Sequence, residues 1–304
     1  MLELIGYFIF TLALGFFWLK LGKRMGIGEF CSLERFNDKV KGAFRKKEGT
    51  VTIGGIIILL GLWTFVLLNQ KGIYFSIAGI ASMLFIFGAF DDISKIMGKK
   101  GQGLSWMQKI ALHFIVGALF CFIFYFNVSK SPGYFIFNAL FFMFFVNALN
   151  IADGLDGLAI GNFIIVIGFL SYGFYSYGNT EMSRICLVIM ALSIGFFVFN
   201  IFGKMFMGDA GAGMLGGILA MIAIFGKMKM LAFFAGMFFV ADGLSSFIQV
   251  FGRRMLGRRL LAFACPVHHH FINKGVSERK IVILSWFFSL VMGVVGLILM
   301  KYFG

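Results

Sequence analysis

The residues of this 304-residue chain best suited to chemistry are a few aspartates and a run of three histidines. Acidic residues number only 13, yet five aspartates, Asp91, Asp92, Asp153, Asp156 and Asp209, fall at the ends of apolar runs. In Gly88-Ala-Phe-Asp91-Asp92-Ile-Ser-Lys95, adjacent carboxylates on a helix point about 100° apart, so one can serve a metal and the other a substrate. Alone, the pair also fits a solvated helix end. In Asn147-Ala-Leu-Asn150-Ile-Ala-Asp153-Gly-Leu-Asp156-Gly157, polar groups recur every third residue. Gly154 and Gly157 break the helix there, so two amides and two carboxylates can face one cavity. Ordinary turn chemistry is the bland alternative. In Phe206-Met-Gly-Asp209-Ala-Gly211, an Asp between glycines can approach a metal or phosphate, although alone it reads first as a helix N-cap.

The fourth cluster is Cys265-Pro-Val-His268-His269-His270-Phe271, preceded by Arg253, Arg254, Arg258 and Arg259. Imidazoles beside arginines suit anionic oxygens. Three adjacent histidines cannot all reach one metal from a helix. Asp242 lies inside an apolar run with Gln249 two turns on, and an intramembrane acid is a functional candidate by default. His113 reads as structural. The donor set is hard oxygens and cations, which points to Mg²⁺ or Mn²⁺ with a phosphorylated substrate. No GxxxxGK[ST] loop is present. Lys and Arg with a metal can stabilise charge on a transferring phosphoryl group.

The elements that must position these groups follow from composition. Hydrophobic residues make up 60% and charged residues 13%, against about 45–50% and 25% in soluble domains. Disorder, collagen repeats and coiled coils are excluded, leaving an all-α polytopic membrane protein. About ten spans of suitable length are expected: Leu4–Leu21, Thr52–Asn69, Gly72–Phe90, Ile110–Asn127, Tyr134–Ile151, Leu158–Tyr175, Ile185–Phe202, Gly211–Gly226, Met230–Phe251 and Ile281–Phe303. The first ends in Lys20, Lys23 and Arg24 without a small-residue cleavage site and reads as a span, not a leader. The four cysteines form no CxxC or metal spacing. Loops 22–51, 91–109, 152–157, 203–210 and 252–280 carry 20 of the 27 Lys and Arg. That excess marks their side as cytoplasmic and places both termini outside. The net charge of +14 therefore reads as topology rather than nucleic-acid binding. Residues 1–304 are expected to form one catalytic domain. A transporter would place its ionisable groups near the midplane and show repeats; here only Asp242 does so.

At these residues the chain resembles the polyprenyl-phosphate N-acetylhexosamine-1-phosphate transferase superfamily, and its muramoyl branch most closely. Lys47-Glu-Gly-Thr-Val-Thr52-Ile-Gly-Gly55 is similar to the family's K-x-G-T-P-T-M-G-G. Asp91-Asp92-Ile-Ser-Lys95 matches DDxxK, and Gly103-Leu-Ser105 with Lys109 matches GLS…K. Asn147–Asp156 fits N-x-x-N-x-x-D-G-x-D, Phe206–Asp209 fits FMGD, and Pro266–Phe271 fits P-[LI]-H-H-H-[FY]. The resemblance covers about residues 47–280, and its strength is six motifs in order. It departs at Val51 for Pro, Ala212 for Ser, Ile272 for Glu and Asp242 for Glu. The loop from Asn200 to Phe206 is also one residue short.

The resemblance implies transfer of phospho-N-acetylmuramoyl-pentapeptide from UDP to undecaprenyl phosphate, giving lipid I and UMP, with Mg²⁺ (or Mn²⁺). It implies Asp209 as metal ligand, with Asp91 or Asp92 beside it, one of them activating the lipid phosphate. Catalytic roles fall to Asp91, Asp92, Asp209 and His268. Asp153 and Asp156 would face the nucleotide sugar. Phe206 would stack on uracil, near Lys47 and Asn200, and Lys95, Lys109, His268, His269 and His270 would hold phosphates. Thr52, Asn147, Asn150 and Gln249 complete the substrate-binding set. The implied setting is the bacterial cytoplasmic membrane, with the site facing the cytoplasm, membrane lipid around the chain, and a homodimer admitted. The nearest rival is a sister enzyme moving GlcNAc-1-phosphate from UDP-GlcNAc; the 47–55 and 266–271 motifs favour the muramoyl branch.

Overall fold

A computed structural model describes residues 2–28, 49–97, 103–128 and 131–303. Lys47 lies outside the described residues. Helices dominate, because apolar runs in lipid must satisfy every backbone N–H and C=O internally. In chain order they are α1 (Leu2–Met25), α2 (Ile56–Asn69), α3 (Gly72–Met97), α4 (Trp106–Val128), α5 (Pro132–Ala152) and α6 (Leu158–Ser176). There follow α7 (Thr180–Asn200), α8 (Gly208–Phe225), α9 (Lys229–Ala235), α10 (Met237–Met255), α11 (Val267–Asn273) and α12 (Glu278–Phe303). Eight of these have the length and apolarity of membrane spans, and the bent pair α9–α10 makes a ninth. The expected ten thus resolve into eight long helices, one bent pair and one short helix, α2.

Three departures from the expected boundaries bear on the site. First, α2 begins at Ile56 rather than Thr52. Residues 51–55 instead pair with the chain before α8: Phe206 N–H donates to Val51 O (2.8 Å), Gly54 N–H to Phe206 O (2.9 Å), and Gly55 N–H to Met207 O (3.3 Å). Second, α3 continues past Phe90 to Met97, so Asp91, Asp92 and Lys95 ride on a helix rather than a loop. Third, the run Met230–Phe251 is broken at Gly236, where α9 and α10 meet at 79°. A Cβ at Gly236 would sit 2.7 Å from Ala232 O and 3.1 Å from the Phe145 ring. Glycine at a sharp bend is a usual cause of kinking. The break lets α10 bury Asp242, Ser245, Ser246 and Gln249 while Leu244, Phe247 and Phe251 stay exposed.

At the centre is α8, with 78% of its apolar window buried against 17% for α1. Its main neighbours are α3 and α5. Small residues allow this: a Cβ at Gly216 would meet Phe145 O at 2.6 Å, and one at Gly217 would meet the Leu84 side chain at 2.1 Å. In membranes, close backbone approach through small residues replaces the hydrophobic drive available in water. Buried polar contacts add to helix pairing, as where Asn162 bonds Ser285 and Ser289 between α6 and α12. The antiparallel succession of helices brings the ends of α1, α3, α5, α7 and α10 to the side where α2, α4, α6, α8 and α12 begin.

Candidate active site

The last turns of α3 cross the first turn of α8 with almost no space between them. A Cβ at Gly88 would lie 2.4 Å from Ala210 Cα. One turn further along α3, Asp91 and Asp92 therefore meet Asp209. The three carboxylates each offer an oxygen, and these oxygens lie within 4.8 Å of one another. Asp209 is not the N-cap of α8; that position is Met207, which makes no side-chain cap bond. The free N–H groups are served from another helix: Asp92 Oδ2 accepts from Ala210 N–H at 3.1 Å. The positive end of α8 also favours carboxylates here.

Two lysines enter the same cluster. Lys95 Nζ lies 2.7 Å from Asp209 Oδ2 and 2.8 Å from Asp91 Oδ2. Lys109, from the first turn of α4, lies 2.7 Å from Asp91 Oδ2 and also pairs with Asp209. Asp91 Oδ1 accepts the Leu104 N–H, and a Cβ at Gly103 would lie 2.2 Å from that oxygen. The Gly103-Leu-Ser105 motif thus brings backbone against a buried carboxylate. Asp91 and Asp92 are buried, while Asp209 is partly open. Three carboxylates with two ammoniums leave one negative charge. Hard oxygens gathered at this spacing fit Mg²⁺ or Mn²⁺.

Thr52 and Phe206 border this cluster through the paired 51–55 and 205–207 segments. The Thr52 hydroxyl is sealed from solvent with no hydrogen-bond partner. Gly208, at φ +74°, has its Cβ direction 2.5 Å from Asp92 Oδ2 and 3.0 Å from the Thr52 hydroxyl. No side chain other than hydrogen fits there.

The second expected cluster divides. Asn147 Oδ1 pairs with His113 Nδ1 at 3.1 Å, and its amide donates to Met143 O. His113, which read as structural, lines a small cleft that also contains Asp91 and Asp209. Asn150 and Lys109 line both that cleft and a larger apolar cavity. The larger one, about 290 Å³, runs between α4, α5 and α10 along Trp106, Ile110, Phe144, Phe247 and Val250. The guanidinium of Arg254 stands 4.8 Å over the ring of Trp106, one of the cavity's lining residues. Sequence reasoning passed over Trp106; an aromatic three residues before Lys109 was the available signal.

Asp153 and Asp156 sit half-buried in the turn joining α5 to α6, apart from the three-carboxylate cluster. Gly157 (φ +79°) donates its N–H to Asn200 Oδ1 at 2.8 Å, and the Asn200 amide donates to Met205 O at 3.0 Å. Asn200 is thus buried as a brace between the turn and the Phe206 loop, with both ends of its amide used internally. Gln249 likewise accepts the Leu261 N–H at 3.0 Å and holds the loop before the histidines.

The histidines occupy the short helix α11. His268 is buried and contacts Asp242 twice, through its backbone N–H (3.2 Å) and through Nδ1 (2.6 Å). His269 stacks edge-on against His268 at 4.6 Å. Burial, reinforced by the His268 ring and opposed by Asp242, pushes His269 down to about 4. It is therefore neutral at neutral pH. His270 packs its ring against Phe263 and Phe271.

Residues 74–227 match the family described as Glycosyl transferase family 4, the stretch running from α3 to the end of α8. The chain is 35% identical to a phospho-N-acetylmuramoyl-pentapeptide-transferase of Dictyoglomus turgidum, covering 98% of this chain and 96% of the relative. It is 31% identical to the protein of that name in Staphylococcus saprophyticus (83% and 85% covered) and 30% identical to that of Staphylococcus carnosus (95% and 96%). With most of both chains aligned at this identity, the chain belongs to glycosyl transferase family 4 and, within it, to the phospho-N-acetylmuramoyl-pentapeptide-transferase family.

Proposed function

We propose that the protein transfers phospho-N-acetylmuramoyl-pentapeptide from its UDP carrier to undecaprenyl phosphate, releasing UMP and forming lipid I at the cytoplasmic face of a bacterial inner membrane. The observation that carries the proposal is the Asp91–Asp92–Asp209 cluster with Lys95 and Lys109, on a chain aligned almost end to end with enzymes of that name. The whole chain acts as one catalytic domain, with both termini outside. That orientation rests on the cation excess of the loops beside the site.

An oxygen of the lipid phosphate attacks the sugar-bound phosphorus, and the bond from that phosphorus to the bridging oxygen of the diphosphate breaks. The bridging oxygen leaves with UMP, taking the electron pair. Mg²⁺ or Mn²⁺ held by Asp209 with Asp91 or Asp92 would supply Lewis-acid stabilisation of the pyrophosphate oxygens. Lys95 and Lys109 are placed to exchange carboxylate contacts for phosphate contacts as charge builds on the transferring group. Burial of Asp91 and Asp92 keeps water from competing with the lipid phosphate for their oxygens. The apolar cavity beside Lys109 suits the first isoprene units of the acceptor, with the phosphate at Lys109. Asp153, Asp156 and Phe206 would receive the nucleotide sugar. Lys47 would serve the same substrate from residues outside those described.

The test is a purified, detergent-solubilised protein given undecaprenyl phosphate, Mg²⁺ and either UDP-MurNAc-pentapeptide or UDP-GlcNAc. Lipid-linked product from the first donor is expected. Turnover with UDP-GlcNAc alone would assign the protein to the sister reaction.

A further inference from the structure

Asp242 lies in mid-α10, has no exposed side-chain surface, and takes no part in the transfer described above. Both of its oxygens are directed at one residue: Oδ1 accepts the His268 backbone N–H and Oδ2 faces His268 Nδ1 at 2.6 Å. Such a two-point grip fixes the ring orientation and holds a hydrogen on Nδ1 toward the carboxylate. With Nδ1–H engaged by the carboxylate, Nε2 is the nitrogen left for a ligand. Nε2 is itself sealed from solvent and has no hydrogen-bond partner. It points at Gly154, where a Cβ would stand only 2.9 Å away. Gly154 belongs to the turn carrying Asp153 and Asp156. Buried polar atoms are nearly always satisfied, so an orphan held this firmly beside a substrate turn requires an explanation.

We propose that Asp242 is a positioning residue for the transfer reaction. It holds His268 so that Nε2 donates a hydrogen bond to an anionic oxygen of the nucleotide-sugar diphosphate bound at the 153–157 turn. A hydrogen on each ring nitrogen makes His268 a two-ended donor whose charge the Asp242 carboxylate balances. The inference rests on the transferase reading, since the ligand is that reaction's donor substrate.

A structural alternative is available, because Asp242 also serves the N-terminus of α11 as a cap. Asp242→Asn separates the two roles: Asn caps a helix as well as Asp, but it does not balance the charge of a ring with a hydrogen on each nitrogen. Kinetics with UDP-MurNAc-pentapeptide should show kcat/KM lower on the order of 10- to 100-fold, the usual cost of losing a carboxylate that orients an imidazole. Thermal stability should be unchanged and Asp242→Glu should partly rescue. In a His268→Gln background the same change should cost nothing further, since the two residues act as a unit. Wild-type kcat/KM in Asp242→Asn, or losses that add in the double variant, would overturn the proposal. Imidazole-¹⁵N NMR of the detergent-solubilised protein needs no turnover. A downfield Nδ1–H resonance assigned to His268, lost in Asp242→Asn, is expected whatever the sugar nucleotide. Its absence from the wild type would refute the pairing of Nδ1–H with Asp242, whereas its presence in a protein inactive on UDP-MurNAc-pentapeptide would locate the failure in the donor assignment.

Discussion

Replacing Gly88 with Ala tests whether the carboxylate cluster depends on the close approach of α3 to α8. The new Cβ would fall 2.4 Å from Ala210 Cα, 2.5 Å from Ala210 N and 2.6 Å from Asp209 C, all backbone atoms that no rotamer change can move. Ordinary contact begins near 3.4 Å, so the two helices must separate by about 1 Å, a displacement that can cost about 100-fold in rate when it misplaces reacting groups. Overpacking adds a stability cost of about 1–3 kcal/mol. Asp91 and Asp92 lie one turn away on α3, and Asp209 precedes the contacted Ala210, so the displacement acts directly on the cluster. The assay is UMP release at saturating donor and acceptor, with thermal unfolding measured in parallel. Gly79→Ala on the same helix is the control: no atom lies within 4 Å of its Cβ position, so activity should be retained. A Gly88→Ala protein with wild-type turnover would refute the claim that the α3–α8 spacing sets the site.

Three further outcomes follow from the same geometry. Gly103→Ala places a Cβ 2.2 Å from Asp91 Oδ1 and should lower kcat more than it lowers thermal stability, because the 103–105 segment can shift where α3 cannot. Val250→Trp in the apolar cavity should raise KM for undecaprenyl phosphate and leave KM for the UDP substrate unchanged; an overpacking cost of about 1–3 kcal/mol corresponds to roughly 5- to 150-fold weaker lipid binding. His269, held down to about 4 from 6.5, contributes stability that is full above 6.5 and lost as pH falls toward 4. Melting temperatures of His269→Asn should therefore fall less between pH 7 and acid than those of the wild type.

The broad plan was legible because it rests on strong signals. Apolar runs of spanning length gave the helices, and the scarce acids pointed to the bundle end where Asp91, Asp92 and Asp209 gather. The features that were not legible depend on tertiary contact. Glycines made the eighth run read as a short span starting at Gly211, whereas α8 starts at Gly208 and is the most buried helix because those glycines admit α3 and α5. Asp209 read as an N-cap, yet the capping is done by Asp92, 117 positions earlier in the chain and on another helix. Thr52 read as the first residue of a span, but the pairing of 51–55 with 205–207 is a long-range contact without a local signature. Asp242 stood out as a mid-span acid, while its partner His268 could be found only in three dimensions. Asn200 and Gln249 were expected to meet substrate; Asn200 uses both ends of its amide internally, and the Gln249 oxygen accepts the Leu261 N–H. Lys95 and Lys109 were expected at phosphates, and in the structure they pair with Asp91 and Asp209.

The central claim is that Asp91, Asp92 and Asp209 form the divalent-cation site of a sugar-phosphate transfer to a polyprenyl phosphate. It is tested most directly by UMP release from UDP-MurNAc-pentapeptide and undecaprenyl phosphate, with Mg²⁺ titrated against chelator, in wild type and Asp209→Asn. The account predicts activity that vanishes on chelation, returns with Mg²⁺, and is absent at every Mg²⁺ concentration from a folded Asp209→Asn protein. Turnover that survives chelation, or an Asp209→Asn protein that still makes lipid-linked product, would contradict it.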